Sequence, residues 1–356
     1  MNAPLRVAPT SIFAEPLLRL QDLHMSYALR DGGERLALAG VSLDLPAGEV
    51  LALIGSCGSG KSTLAQLAAG LAAPTAGAVA FEGLDIAAAG PRARRGIAIL
   101  DASPDLPGGR TLRDIVAERR AVCAQAQAPG LELARLFELL DMEADLDRYP
   151  DELSEGGRRR AALARALAGN PRLLILDEVT AGLDPEVAGF FLTALTRVNA
   201  ETGLTILLIT HDMTAVTAIA PRVAVLDGGR LVEQGSTARV LARPEHPVTR
   251  RFAAAATGAT LPPFLAEKLQ DEPTPRGRAL IRLAFAGVSA TRPVLTSVAR
   301  ELGFDLGIVA GSLGAAGGEP YGVLIVAAPC DEPYFTAAVE RLEDAELAVE
   351  VLGFVA

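Results

Sequence analysis

The chain has 356 residues, more than a single hydrophobic core usually organises, so two domains are expected. Its 43 acidic and 33 basic residues give a formal net charge of −10, which argues against binding to the phosphates of DNA or RNA. The apolar runs are far shorter than the roughly 20 residues that cross a bilayer. The three separated cysteines form neither a disulfide framework nor a metal-binding pattern. We therefore expect a cytoplasmic protein without a transmembrane segment.

The chain divides into regions that differ in composition and in hydrophobic pattern. Residues 1–15 contain scattered prolines and no continuous apolar stretch, so they predict a disordered leader and not a secretory signal. From residue 16 to 256, strand-like apolar runs alternate with helical stretches, which predicts an α/β domain with a helix-covered sheet. Residues 257–278, rich in proline and charge, predict a linker with one short helical turn.

A glycine-rich loop follows the strand-like run VLALI and precedes a helical stretch. This loop, GSCGSGKST, has the spacing of a P-loop, in which backbone N–H groups and a helix N-terminus bind phosphates. Lys61 would reach the β- and γ-phosphates, Ser62 would offer its hydroxyl to Mg²⁺, and Cys57 would fill a spacer position. The predicted nucleotide contacts are Gly55, Ser56, Cys57, Gly58, Ser59, Gly60, Lys61, Ser62 and Thr63. ATP and Mg²⁺ are therefore the predicted ligands.

A second apolar strand, RLLILDE at 172–178, ends in two carboxylates. Asp177 would hold Mg²⁺ through its water shell, and Glu178 would polarise the attacking water, because phosphoryl transfer needs an oriented nucleophile and charge neutralisation. Two acids after a strand can also be a helix cap. Their occurrence downstream of a P-loop favours ATP hydrolysis.

Three further segments carry a resemblance to a known family: LSEGG (153–157), DEVTAGLD (177–184) and LTILLITHD (204–212). With the P-loop, they resemble the ABC transporter ATPases, which work as pairs of subunits. The resemblance implies that Ser154 and Gly156 contact the nucleotide of the partner copy in a homodimer. It also places Asp184 in the loop that joins the two sites.

Two more candidate contacts rest on the same resemblance. His211 would contact the γ-phosphate, with an ordinary histidine at a strand end as the alternative. Tyr27, upstream of the P-loop, would stack on adenine, with a core tyrosine as the alternative.

The tail has a different pattern from the preceding domain. Alternating residues in ALIRLAF predict a strand, and the runs DLGIVAGSL, YGVLIVAA and AVEVLGF predict three more. Helices are expected near 292–303 and 332–344. The order βαββαβ predicts a ferredoxin-like fold with both helices on one face of a small sheet.

The resemblance extends through RRGIAILDASPDLPGGRTLRDIV, YPDELSEGG, ARALAGNP and VEVLGF, which are similar to the ATP-binding subunit of the methionine importer. Residues 279–356 resemble the NIL domain of that family. This implies that the chain is a peripheral subunit at the cytoplasmic face of the inner membrane, where it binds integral-membrane permease subunits that receive methionine from an extracytoplasmic binding protein. It also implies that cytosolic methionine is a regulatory ligand that slows import. Asp305, Gly307 and Ile308 are the candidate effector contacts, with a plain hairpin turn as the alternative.

The sequence departs from the family pattern at two places. Alignment puts Ala102, or Asp101 after a shift of one residue, where the family has the glutamine of its Q-loop. Glu155 replaces the first glycine of the LSGGQ signature, and Gly157 replaces its glutamine. Two like charges 4 Å apart repel by about 1 kcal/mol in water and about 4 kcal/mol at an effective dielectric constant of 20. The basic run 158–160, interpreted as a solvated helix face or a phosphate-facing feature, would offset part of this repulsion.

These departures leave three functions open. The first is the ATPase of a methionine importer, and the second is a regulatory module that binds ATP and methionine but hydrolyses poorly. The third is an importer ATPase for another amino acid or small solute, because other subunits select the solute.

Overall fold

The structure, a computed structural model, describes residues 15–28, 32–124, 131–287, 290 and 292–356. The predicted leader lies outside these residues apart from Glu15. The chain forms two compact units, Met1–Gln234 and Gly235–Ala356. Both units combine helices with β-sheet, which confirms the predicted α/β class with a small α+β domain after it.

The first unit contains a four-stranded antiparallel sheet of order β2-β1-β4-β5. Its strands are β1 (Leu18–Ala28), β2 (Glu34–Leu45), β4 (Ala76–Phe81) and β5 (Leu84–Asp85). The register of β1 on β2 runs from Leu18 opposite Leu45 to Ala28 opposite Glu34.

The second sheet of this unit has six strands in the order β10-β9-β3-β8-β7-β6. The strands are β3 (Val50–Gly55), β6 (Ile97–Asp101), β7 (Leu173–Asp177), β8 (Thr205–Ile209), β9 (Arg222–Asp227) and β10 (Arg230–Ser236). All pairs from β9 to β6 are parallel. β3 and β8 are buried along their whole length, as expected for continuous apolar runs in a parallel sheet covered on both faces. The carboxyl ends of the parallel strands β9, β3, β8, β7 and β6 therefore lie at one edge of the sheet.

Seven α-helices belong to the described part of the first unit: α1 (Lys61–Ala68), α2 (Ile86–Ala89), α3 (Leu112–Ala124), α4 (Leu133–Leu139), α5 (Glu155–Ala168), α6 (Pro185–Thr202) and α7 (Met213–Ile219). Short 3₁₀ turns lie at Gly90–Gly96, Glu143–Asp145 and Pro150–Glu152. Leu64 and Leu67 of α1 share one core with side chains of both sheets, so the helix after the glycine-rich loop is held firmly. None of the helices in the described residues has the length and apolar character that spanning a bilayer requires.

The second unit is built around a four-stranded antiparallel sheet of order β12-β13-β11-β14. Its elements are α8 (Thr237–Ala242), α9 (Pro247–Thr257), α10 (Pro263–Ala266), β11 (Arg278–Ala286), α11 (Val294–Leu302), β12 (Gly307–Ala316), β13 (Glu319–Pro329), α12 (Tyr334–Asp344) and β14 (Ala348–Val355). From β11 onward the order is βαββαβ, which confirms the ferredoxin-like prediction. Val298 of α11 and Leu342 of α12 pack in the same core as Ile281 and Leu283, so both helices cover one face.

The opposite face of this sheet is covered by residues that the sequence predicts as a linker. Leu261, Leu265 and Leu269 pack against Leu280 and Val355. Gln270 also forms an isolated β-bridge with Phe354, with both backbone hydrogen bonds at 2.8 Å. Leucines spaced four residues apart provide an apolar stripe that the prolines and charges of this segment mask in the sequence. The predicted domain bounds of 16–256 and 279–356 stay predictions.

Candidate active site

The glycine-rich loop connects β3 to α1 through two close backbone approaches. Gly60 has φ of 105°, and a Cβ atom there would lie 2.5 Å from the carbonyl oxygen of Ala37. A Cβ atom on Gly55 would lie 2.2 Å from the carbonyl oxygen of Leu226. Because neither position has room for a side chain, the loop needs glycine at both.

The ammonium group of Lys61 lies inside this loop. Its Nζ donates hydrogen bonds to the carbonyl oxygens of Gly55 at 2.8 Å and Ser56 at 3.1 Å. Lys61 is only 9% exposed, and the nearby Ser59 hydroxyl is buried without a partner among the described residues. The loop therefore presents a fixed positive charge and unsatisfied polar groups, which suits an anion with several oxygens.

Asp177 lies at the carboxyl end of β7, beside the start of α1. Partial burial raises the pKa of its carboxyl group, while a hydrogen bond with the Ser62 side chain acts in the opposite direction. Its Oδ1 atom is buried and has no partner within the described residues. A carboxylate with one orphaned oxygen next to a hydroxyl is the kind of oxygen donor set that Mg²⁺ prefers. The alternative, that the two acids only cap a helix, does not fit, since α6 begins at Pro185.

Glu178 and His211 are brought together by neighbouring strands. Glu178 follows β7 with φ of 54°, and its backbone N–H donates to the carbonyl oxygen of Ile209 at 2.8 Å. His211 follows β8, and its Nδ1 lies 2.9 Å from both carboxylate oxygens of Glu178. The Thr210 hydroxyl lies 3.3 Å from one of these oxygens. A left-handed backbone in a non-glycine residue stores strain of the kind found at functional sites.

A third carboxylate lies at the same edge of the sheet. Asp101 ends β6 directly opposite Asp177 in the parallel register, and its charge opposes ionisation of Asp177, which contributes to the raised pKa. Its Oδ1 accepts a hydrogen bond from the backbone N–H of Ser103 at 3.0 Å. Ala102 follows immediately after the strand, so neither candidate position supplies an amide side chain.

Tyr27 lies near the glycine-rich loop and is not a core tyrosine. It is 38% exposed, and its hydroxyl lies 3.4 Å from the Thr63 hydroxyl. An exposed aromatic ring at this position offers a flat apolar face beside the loop.

The residues of the predicted signature lie on other elements. Ser154 caps the N-terminus of α5, and its hydroxyl accepts a hydrogen bond from the backbone N–H of Gly157 at 3.1 Å. Gly156 is buried, and a Cβ atom there would lie 2.4 Å from Cγ1 of Val187 on α6. Asp184 is exposed at the N-terminus of α6.

The candidate effector residues belong to the second unit. Asp305 is exposed before β12, while Gly307 and Ile308 open this strand opposite Ala327 and Val326. Ile308 is 67% exposed. Gly307 and Ile308 start an edge strand, with Asp305 just before it, and so do not form the plain hairpin turn that the sequence left open.

Known families match both parts of the chain. Residues 38–181 match the ABC transporter family, and residues 279–351 match the NIL domain. The methionine import ATP-binding protein MetN 1 of Rhodopseudomonas palustris is 42% identical over 337 residues, covering 92% of this chain and 90% of that protein. The chain belongs to the methionine import ATP-binding protein family.

Solved structures agree with this family assignment. Clostridium perfringens cbiO1, described as part of the ABC transporter complex cbiONQ, is 29% identical, with a TM-score of 0.56, and covers 65% of this chain and 92% of its own. A bacterial ABC transporter cassette solved as a dimer is 25% identical, with a TM-score of 0.52, and covers 62% of this chain and 98% of its own. The first unit of this family member therefore has the ABC cassette fold.

The interpretation of the basic run 158–160 as a solvated helix face holds for only part of the run. Arg158 is exposed, whereas Arg159 is 4% exposed and contacts Glu155 and the Val179 carbonyl. Thr210, whose hydroxyl lies beside the Glu178 carboxylate, is a further residue of the site that the motifs do not predict. Its position directly before His211 at the end of an apolar strand is the one sequence signal that could have found it.

Proposed function

We propose that two copies of this chain form the ATP-hydrolysing part of a methionine importer. The observation that supports this most strongly is the convergence of four side chains at the carboxyl edge of the parallel sheet. Lys61 begins α1 and its Nζ reaches back to the end of β3, while Asp177 and the hydrogen-bonded pair Glu178 and His211 lie at the ends of β7 and β8. A phosphate-binding cation, a metal-type carboxylate and an oriented base are the groups that phosphoryl transfer to water requires.

The glycine-rich loop would bind the phosphates of ATP. The contributing residues are Gly55, Ser56, Cys57, Gly58, Ser59, Gly60, Lys61, Ser62 and Thr63. Lys61 would exchange its two backbone carbonyl partners for phosphate oxygens. The exposed ring of Tyr27 would stack on adenine, which its proximity to Thr63 supports.

Ser62 and Asp177 are the residues that would hold Mg²⁺. The orphaned Oδ1 of Asp177 and the hydrogen bond between the two side chains fit this assignment. When bound, the ion supplies positive charge that neutralises the phosphates.

Glu178 would align the attacking water and accept its hydrogen bond. Two features fix the direction of this carboxylate: the strained backbone at Glu178 and the contacts from His211 and Thr210. The ring of His211 is exposed and would also contact the γ-phosphate. General bases positioned in this way contribute about 10²–10⁴-fold to a rate.

The complete site would need the partner copy. Ser154, Gly156 and Asp184 lie on α5 and α6 rather than on the glycine-rich loop, and the dimeric cassette among the structural neighbours supports a paired arrangement. Ser154 and Gly156 of one copy would face the nucleotide of the other. At the cytoplasmic face of the inner membrane, the dimer would dock on integral-membrane permease subunits. An extracytoplasmic methionine-binding protein would deliver methionine to these permease subunits.

The C-terminal domain would sense cytosolic methionine and slow import. The NIL match over 279–351 supports this role, and Asp305, Gly307 and Ile308 on the exposed end of β12 are the candidate contacts. Calorimetric titration of the full chain with a panel of amino acids tests the assignment. Selective binding of methionine is expected, whereas selective binding of another solute would favour an importer ATPase for that solute.

ATP turnover by the purified chain tests the proposal as a whole. Wild type should hydrolyse ATP with Mg²⁺, and Glu178→Gln should bind ATP with similar affinity while losing about 10²-fold or more of the rate. A conservative Glu186→Gln change, at an exposed position on α6, is the matched control and should leave the rate unchanged.

A second candidate function is a regulatory module that binds ATP but hydrolyses it poorly. The observation that favours it is the pair Asp101 and Ala102, which places an extra carboxylate opposite Asp177 and leaves the Q-loop without an amide. A wild-type rate indistinguishable from that of Glu178→Gln would support this module and refute the hydrolytic proposal.

A further inference from the structure

The first turn of α5 carries an acid directly after the capping serine. Glu155 replaces a glycine of the family signature, and it follows Ser154, which faces the partner's nucleotide in the proposed dimer. An unpaired carboxylate here would repel the triphosphate. In the structure, however, Oε1 of Glu155 accepts a hydrogen bond from Nη2 of Arg159 at 2.8 Å, one helical turn away.

Arg159 is held in place by a second and independent contact. Its Nη1 donates to the carbonyl oxygen of Val179 at 2.7 Å, and Val179 directly follows Glu178. The Arg159 side chain is only 5% exposed, whereas that of Glu155 is 57% exposed. A guanidinium stays charged at all physiological pH values, so the arginine is a fixed buried cation and the glutamate is its exposed counterion.

The neighbouring arginines do not share this task. Arg158 donates to the Leu153 carbonyl, and Arg160 donates to the Asp141 carbonyl. Among the described residues, Arg159 is the arginine of this run that pairs with Glu155. The charge compensation therefore depends on one residue.

The pair contributes less to the stability of the fold than a fully buried pair would, because more than half of the Glu155 side chain is exposed and water solvates its carboxylate. The Val179 contact would anchor Arg159 without any acid at position 155. The pair also alters the charge at the end of the helix that carries Ser154.

We propose that Arg159 is a positioning residue that neutralises Glu155 and draws its carboxylate back along α5, so that the altered signature can close on the partner's ATP. This inference rests on the proposed function. The negative charge of Glu155 and the positive charge of Arg159 then cancel at the start of α5.

Dimer formation driven by ATP tests this inference in a Glu178→Gln background of the full chain, where hydrolysis does not disassemble the dimer. Sedimentation with Mg²⁺ and ATP gives the dimer dissociation constant for four proteins: the parent, Arg159→Gln, Glu155→Gly and the double variant. We expect Arg159→Gln to weaken dimerisation about tenfold or more, which corresponds to about 1.4 kcal/mol. The double variant should return to within about threefold of Glu155→Gly.

Four further measurements separate charge compensation from a merely structural role. Binding of a fluorescent ATP analogue to the monomer should be unchanged, since the glycine-rich loop is untouched. Added salt should shrink the defect of Arg159→Gln, because screening weakens repulsion between charges. Arg160→Gln, which removes a guanidinium from the same helix away from Glu155, should dimerise within about twofold of the parent. If Arg159→Gln fails to fold, Arg159→Lys replaces it, because lysine keeps the positive charge. We expect Arg159→Lys to weaken dimerisation less than Arg159→Gln, and adding Glu155→Gly should restore dimerisation.

Results that refute the compensation by Arg159 differ from results that refute the proposed function. If Arg159→Gln dimerises like the parent, or if the double variant is as weak as Arg159→Gln alone, the compensation is refuted while the proposed function stands. If the parent does not dimerise with ATP, the proposed function fails and this inference fails with it.

Discussion

Gly156→Ala probes a packing contact that the sequence pattern alone does not explain. Gly156 lies in the first turn of α5, where a new Cβ atom would lie 2.4 Å from Cγ1 of Val187. Valine is stiff about χ1, so relief requires a rotamer change or a shift of α6 against α5. Overpacking of this kind costs about 1–3 kcal/mol. Replacement of a helical glycine by alanine returns about 1 kcal/mol, so the net loss should be about 0–2 kcal/mol.

Gly157→Ala is the matched control for this prediction. Its new Cβ atom would lie 3.3 Å from both Leu153 Cβ and Ser154 Oγ, which is tight but much less severe. Both glycines lie in the same helical turn, so the propensity gain cancels and the difference between the variants isolates the clash. A difference of 2 kcal/mol would separate the thermal unfolding midpoints by about 4–8 °C. Val187→Ala should remove the difference, because it deletes Cγ1 and leaves Cβ at 3.7 Å. Equal midpoints for the two alanine variants would refute the reasoning.

Three further predictions concern single side chains. Lys61→Ala removes the buried ammonium of the glycine-rich loop and should weaken ATP binding at least about tenfold in equilibrium titration, a loss of about 1.4 kcal/mol or more. His211→Ala removes a contact that orients Glu178 and should lower kcat about 10²-fold with little change in KM; an equal rate in steady-state assays would contradict the role of the histidine. Burial raises the pKa of Glu49 and the paired Arg222 lowers it, so the folded carboxyl retains its proton to a higher pH than the unfolded one. The stabilisation from Glu49 is thus present at pH values below the pKa of Glu49 in the unfolded chain, and it is lost as the pH rises through the pKa of Glu49 in the folded protein. Arg222→Met should raise that pKa further and destabilise the protein more at pH ~7 than at pH ~4, by about 1–2 kcal/mol in urea titrations; a deficit independent of pH would refute this.

Motif spacing and strand ends could predict most of the candidate site. A parallel sheet brings the carboxyl ends of its strands to one edge, so LLILD and TILLI had to place Asp177 and His211 near the glycine-rich loop that follows VLALI and carries Lys61. The alternating residues of β11 likewise predicted the sheet of the second unit, because one face packs on helices.

Other contacts could not be predicted because they depend on side-chain packing between elements distant in the sequence. The clash that excludes a side chain at Gly156 comes from Val187. The burial of Arg159 depends on the Val179 carbonyl, which a run of three arginines does not indicate. The leucines between 261 and 269 cover the second sheet although prolines and charges dominate their segment.

The paired ATP site is tested most directly by the mass and nucleotide content of Glu178→Gln, compared with the same protein carrying Ser154→Arg. Ser154 is exposed at the start of α5, so a bulky side chain there should block the facing copy without disturbing the glycine-rich loop. With Mg²⁺ and ATP, we expect Glu178→Gln to sediment as a dimer with one ATP per subunit, and the double variant to bind ATP as a monomer. A Glu178→Gln protein that stays monomeric with ATP bound, or a Ser154→Arg variant that dimerises equally well, would contradict the paired site.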